Sequence, residues 1–125
     1  VQRPFVGTPP APPPELEGAT LWIKKNTPEK ARILASGQAS PMWILWTGRF
    51  FPGITLLSQF YPNHPRMMAQ LQSACDPEAF RFEKIDFALA IGKPPWEAAC
   101  VRNRLIELAA EDANHAWRIY KATGR

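Results

Sequence analysis

PWEAACVRNRLIELAAEDANHAWRIYKA, residues 95–122, is the stretch on which the fold turns. It opens at the pair Pro94-Pro95 with Glu97 in the first turn. A proline suits the first helical position because its missing N–H has no intrahelical partner there and its φ is already helical. In helical projection Val101, Leu105, Leu108, Ala109, Ala116 and Tyr120 face one side, and Arg104, Glu107, Glu111, Arg118 and Lys121 face the other. Arg118, Lys121 and Arg125 also complement the negative end of a helix dipole. The spacing predicts one long C-terminal helix from Pro95 to about Ala122.

Working outward, four more prolines stand where a helix can begin: Thr27-Pro28-Glu29, Ser40-Pro41, His64-Pro65 and Asp76-Pro77-Glu78. The first predicts a short helix from Pro28 to about Ser36, closed by Gly37. His64-Pro65 opens a helix through Met67, Met68 and Leu71 that ends near Cys75. Asp76-Pro77 opens another, with Phe80, Phe87 and Ile91 on one line, Phe82, Ile85 and Leu89 on the next, and Gly92 as its stop. Residues 15–27 show no sustained period, and Leu21-Trp22-Ile23 reads as a short extended piece or an anchor. No alternating apolar run is paired across an Asn-Gly or Asp-Gly turn, so no strand hairpin is expected. The expected fold is all-α: about six mostly short, proline-initiated helices and a long C-terminal one, forming a single helical domain over residues 15–125.

Residues 1–14 hold six of the 14 prolines and one charge, Arg3, and read as an extended, proline-rich arm. The most apolar stretch is MWILWTGRFFPGITLLSQFY, residues 42–61, with Arg49 as its only charge. Twenty helical residues reach about 30 Å, the thickness of a bilayer core. Gly48-Arg49 and Pro52-Gly53 break the run, however, and an arginine near the bilayer centre costs at least ~2.5 kcal/mol. Two short helices, Pro41 to about Phe51 and Ile54 to Tyr61, explain the breaks as a buried hairpin. A kinked membrane span or a membrane-surface segment, with lipid contact through residues 42–61, are the other readings.

The bulk figures describe a globular, mildly basic chain: 125 residues, 46% hydrophobic, net charge +4. Its 15 Lys and Arg are scattered, with no run longer than Lys24-Lys25, which makes a weak footprint for nucleic acid. Cys75 and Cys100 have no His or Cys neighbour at metal-ligand spacing; each is a buried thiol, or the two are bridged if their helices are adjacent. No Asn-x-Ser/Thr sequon supports secretion, and Val1 in place of Met reads as a terminus either trimmed from a precursor or cut by design.

Chemistry-bearing patterns are thin. Gly92-Lys93-Pro94-Pro95 lacks the other glycines and the amides of a phosphate loop, and no Gly-x-Ser-x-Gly, His-Glu-x-x-His or Cys-x-x-Cys occurs. His64 reads as a turn residue. His115 lies four residues after Glu111 and three after Asp112, a spacing that orients an imidazole or makes a surface pair. Trp43, Trp46, Phe50 and Phe51, with Arg49 among them, form either core packing or an anchor surface of the residue types that dominate contact centres. The expected interface set is therefore Trp43, Trp46, Arg49, Phe50 and Phe51, with Pro9, Pro10, Pro12, Pro13 and Pro14 of the arm. No catalytic, cofactor-binding or metal-binding residue is expected.

These readings converge on a non-catalytic accessory subunit whose partners are other protein chains, plausibly in a mitochondrial inner-membrane complex. A basic RNA-associated (ribosomal) subunit, using Arg102, Arg104, Arg118, Lys121 and Arg125, is the first alternative. A small enzyme or ligand carrier using His115 is the second.

Overall fold

The stretch 95–122 folds as one short helix and two strands. A computed structural model describes residues 11–35, 42–51 and 64–123, with the backbone alone at 64–68. Helix α5, Pro95–Arg102, stops because Arg104 enters the left-handed region at φ 58°. There its N–H donates to the Val101 carbonyl and that of Leu105 to the Cys100 carbonyl, both at 3.0 Å. This paired closure satisfies the last free carbonyls and ends a helix without glycine. Strand β3, Ile106–Glu111, follows, then a turn and β4, Trp117–Ala122. The Asp112 carboxylate holds that turn, accepting from the amides of Asn114 at 3.1 Å and Ala116 at 3.4 Å.

The expectation of an all-α fold is thus overturned: among the described residues five helices and a four-stranded mixed sheet make an α/β fold. The strands escape a sequence reading because both faces of the central β2 and β4 are covered, while the edge strand β3 is mostly exposed on both. Trp117 and Ile119 pack on one side and Tyr120 on the other, so β4 shows no alternation of apolar and polar.

The stretch after Asp76 was also expected to be one helix to Gly92. Its start is as expected: in α4, Pro77–Phe82, the Asp76 carboxylate accepts from the Ala79 amide at 3.0 Å. The helix meets its stop eight residues early, at Lys84 with φ 54°, by the same paired closure from Lys84 to Arg81 and Ile85 to Phe80. Residues Phe87–Ile91 then form β2, the buried centre of the sheet, and Gly92, with φ 71°, turns the chain toward α5. Helix α3, His64–Ala74, begins and ends where expected, with Cys75 at φ 50° behind it.

Pro28 starts no helix. The preceding segment does: α1 runs Pro14–Asn26, with Glu15 and Glu17 in the first turn and Lys24 and Lys25 in the last, as its dipole favours. Thr27 closes α1, its hydroxyl donating to the Ile23 carbonyl at 2.6 Å, and so does not cap a new helix. Held extended before a proline, it leads through a turn into β1, Ile33–Leu34. Pro12 and Pro13 precede α1 and Pro14 begins it, while Pro9 and Pro10 lie outside the described residues.

From residues 42–61, α2 takes only Met42–Thr47. Gly48 turns the chain, and Phe50 pairs with Arg32, laying an extended piece along the outer edge of β1. The expected second helix, Ile54 to Tyr61, lies outside the described residues. Among the described residues no helix is long and apolar enough to cross a membrane.

The strand order is β1-β2-β4-β3, with β1 and β2 parallel and both other pairings antiparallel. The chain leaves β2, crosses through α5 to β3, and returns as β4 between them. Helices α1 and α2 cover one face around Phe87, Leu89, Trp117 and Ile119. Helices α3, α4 and α5 cover the other around Ala88, Ala90, Ile106 and Tyr120. On that side a disulfide joins Cys75 behind α3 to Cys100 in α5, with Cα atoms 5.3 Å apart.

Candidate functional site

Among the described residues, the largest concentration of interacting polar side chains sits where the β2–α5 connection meets the β3–β4 turn. Glu97 comes from the first turn of α5, and Arg118 and Tyr120 come from alternate positions of β4, so both face α5. A cleft of about 520 Å³ opens beside them, lined by Gly92, Lys93, Pro94, His115 and the Glu97–Arg118 pair.

Arg118 grips Glu97 with two parallel bonds, Nε to Oε2 and Nη2 to Oε1, the latter at 2.8 Å. Nη2 also donates to the Gly92 carbonyl, and Nη1 donates to the His115 carbonyl at 2.7 Å. Four of the five guanidinium N–H groups are thereby engaged. The Tyr120 hydroxyl donates to Glu97 Oε2 as well. The bond to Glu97 raises the Arg118 pKa against an opposing push from burial. Burial, then the bond to Glu97, pushes the Tyr120 phenol up to about 12, so it stays protonated at neutral pH.

The consequence is a clamp rather than a vacant cation. Arg118 ties β4 to α5, to the end of β2 and to the β3–β4 turn, with little capacity left for a ligand. His115 does meet Glu111, Nδ1 to Oε2 at 2.8 Å, but its side chain is 70% exposed and both residues flank a hairpin turn rather than a helix face. Asp112 holds the turn instead. Among the described residues no group of three His, Cys, Asp or Glu could hold a metal ion.

A second cluster joins β1 to the end of α4. Arg32 donates from Nη2 to the buried Glu83 at 3.0 Å and from its amide to Asp86 at 3.0 Å, with its guanidinium 4.7 Å above the Phe50 ring. Sequence reading had no signal for either cluster, because their partners lie far apart in the chain.

The expected interface residues divide. Trp43 and Phe51 are buried, with ring centres 6.3 Å apart, and Trp46 packs edge-on to Trp43 at 5.3 Å while partly exposed. Arg49 donates to the carbonyls of Lys24 and Thr27 at 3.2 and 3.0 Å and to the Thr27 hydroxyl at 2.9 Å. It closes the negative end of α1, which is why one arginine sits in an apolar run. Phe50 is 36% exposed and Leu45, on α2, is 61% exposed. The basic residues once aligned on a long helix are now split: Arg102 lies on α5, Arg104 behind it, and Arg118 and Lys121 on β4.

The chain matches no protein-family model and no curated protein sequence.

Proposed function

We propose that this chain is a non-catalytic structural unit that works by contact with other protein chains. The observation that carries the reading is the Arg118 clamp: Arg118 and Tyr120 spend their donors joining α5, β4, the end of β2 and the β3–β4 turn, which leaves little polar capacity for the adjoining cleft. Perturbed groups at a catalytic site keep free donors or acceptors directed at the reacting atoms. The same reading accounts for Leu45 on α2 and Phe50 in the edge piece beside β1, large apolar side chains left exposed, and for Trp46, partly exposed against the buried Trp43.

The test is the native mass and hydrophobic-dye binding of the isolated chain, compared with Leu45→Asp. Self-association or dye binding that Leu45→Asp abolishes, at unchanged melting temperature, is the expected result. A monomer that binds no dye and is indifferent to the substitution overturns the proposal.

A further inference from the structure

We infer that the chain matures in a thiol-oxidising compartment, where the Cys75–Cys100 bridge is installed during folding as a permanent lock. Both cysteines are fully buried, and they are the only two in the sequence, so the pairing has no competitor. The closed loop spans a separation of 25 residues and contains α4, β2 and the start of α5. These elements supply most of the core on that face of the sheet.

The position of the bridge explains what it does. Cys75 is the residue that ends α3, held at φ 50° where a side chain is ordinarily unfavourable. Covalent attachment to α5 keeps it there, and Asn103, at the end of α5, adds a weak bond from its side chain to the Cys75 carbonyl at 3.5 Å. On this side the strand β2 presents Ala88 and Ala90, where on the other it presents Phe87 and Leu89, so the centre of the sheet has smaller side chains to interlock here. A cross-link compensates by narrowing the unfolded ensemble.

The chemistry is thiol–disulfide exchange with an oxidant of the disulfide class. One cysteine thiolate attacks a donor disulfide and forms a mixed disulfide; the second displaces the donor, which leaves as a dithiol carrying the two electrons and two protons. Attack requires sulfurs that solvent can reach, so oxidation precedes closure of the core, and the finished bridge is shielded from reductants. Such bridges persist where disulfide exchange favours oxidation and not in a glutathione-reduced cytosol.

The experiment compares chain produced in an oxidising compartment with the same chain after denaturation and reduction. Denatured without reductant, the oxidised protein takes up no maleimide by intact mass; after reduction it takes up two. Reduction, or the double change Cys75→Ala with Cys100→Ala, lowers the melting temperature by on the order of 10 °C. Two maleimides on the unreduced protein overturn the inference, whether or not the double variant folds. An unchanged melting temperature in a folded double variant overturns it as well.

Discussion

The two faces of the sheet are held by different means. Toward α1 and α2 the strands present Phe87, Leu89, Trp117 and Ile119, and the helices answer with Ala19, Ile23 and Trp43. Toward α3, α4 and α5 they present Leu34, Ala88, Ala90, Ile106 and Tyr120 to Leu71, Phe80 and Trp96, and to this packing are added a disulfide and the Glu97–Arg118–Tyr120 clamp. The first face relies on area, which is non-directional; the second adds to its buried area a covalent cross-link and directional, charge-assisted bonds. Damage to the first should therefore scale with volume removed, and damage to the second with partners left unpaired.

The largest effect is expected on the first face. Trp117→Ala removes a buried ring that lies against α1, where a Cβ added to Gly18 would stand 3.1 Å from it. The loss should be about 4 kcal/mol in denaturant unfolding, with Phe in the same place recovering a large part of it. On the second face, Glu97→Ala removes little volume but strands Arg118 and Tyr120, both mostly buried, for a loss of about 3 kcal/mol. Adding Arg118→Ala should cost less than the sum of the two single losses. Strict additivity would show that the clamp is not a unit.

The starts of α3, α4 and α5 are legible in the sequence and the ends of α4 and α5 are not, which decides the fold. Asp76-Pro77 and Pro94-Pro95 mark the starts of α4 and α5 because proline geometry acts locally. The stops at Lys84 and Arg104 carry no such mark, since a left-handed closure normally advertises itself by glycine. Each unseen stop hid a strand behind a helix that was continued too far. Pro28 misled for the converse reason: the threonine before it was already occupied in closing α1. The site was readable only in fragments. The Glu111–His115 contact survives because four residues span a tight turn as well as a helical one. Glu97, Arg118 and Tyr120 meet only once β4 folds back over α5.

Tyr120→Phe sharpens the contrast at smaller cost. It deletes one bond to Glu97 without opening a cavity, for about 1 kcal/mol at neutral pH. Its clearer signature is alkaline. The phenol titrates at about 12 in the folded chain and near 10 when unfolded, so above pH 10 the unfolded state releases a proton that the folded state keeps. The stabilisation is complete below about pH 10 and is lost as pH rises toward 12. Unfolding midpoints taken across that range should fall more steeply for the parent chain than for Tyr120→Phe. Parallel curves would mean that the clamp leaves the phenol unperturbed.

The smallest effect concerns the closures that made the strands possible. At Lys84 and Arg104 a residue with a Cβ occupies the left-handed region, at φ 54° and 58°, which costs an L-residue about 1 kcal/mol or more. Glycine relieves that strain but gives the unfolded chain more freedom, so Lys84→Gly should stabilise by only about 0.5 kcal/mol net. Arg104→Gly should behave alike, since the paired bonds from Arg104 and Leu105 are made by backbone amides and survive the change. Alanine at either position keeps the strain and should give no gain, which separates a backbone effect from loss of the charged side chain. If glycine destabilised both sites by about 1 kcal/mol, as it does inside a helix, the chain would be helical there and the strands that follow could not begin where they do.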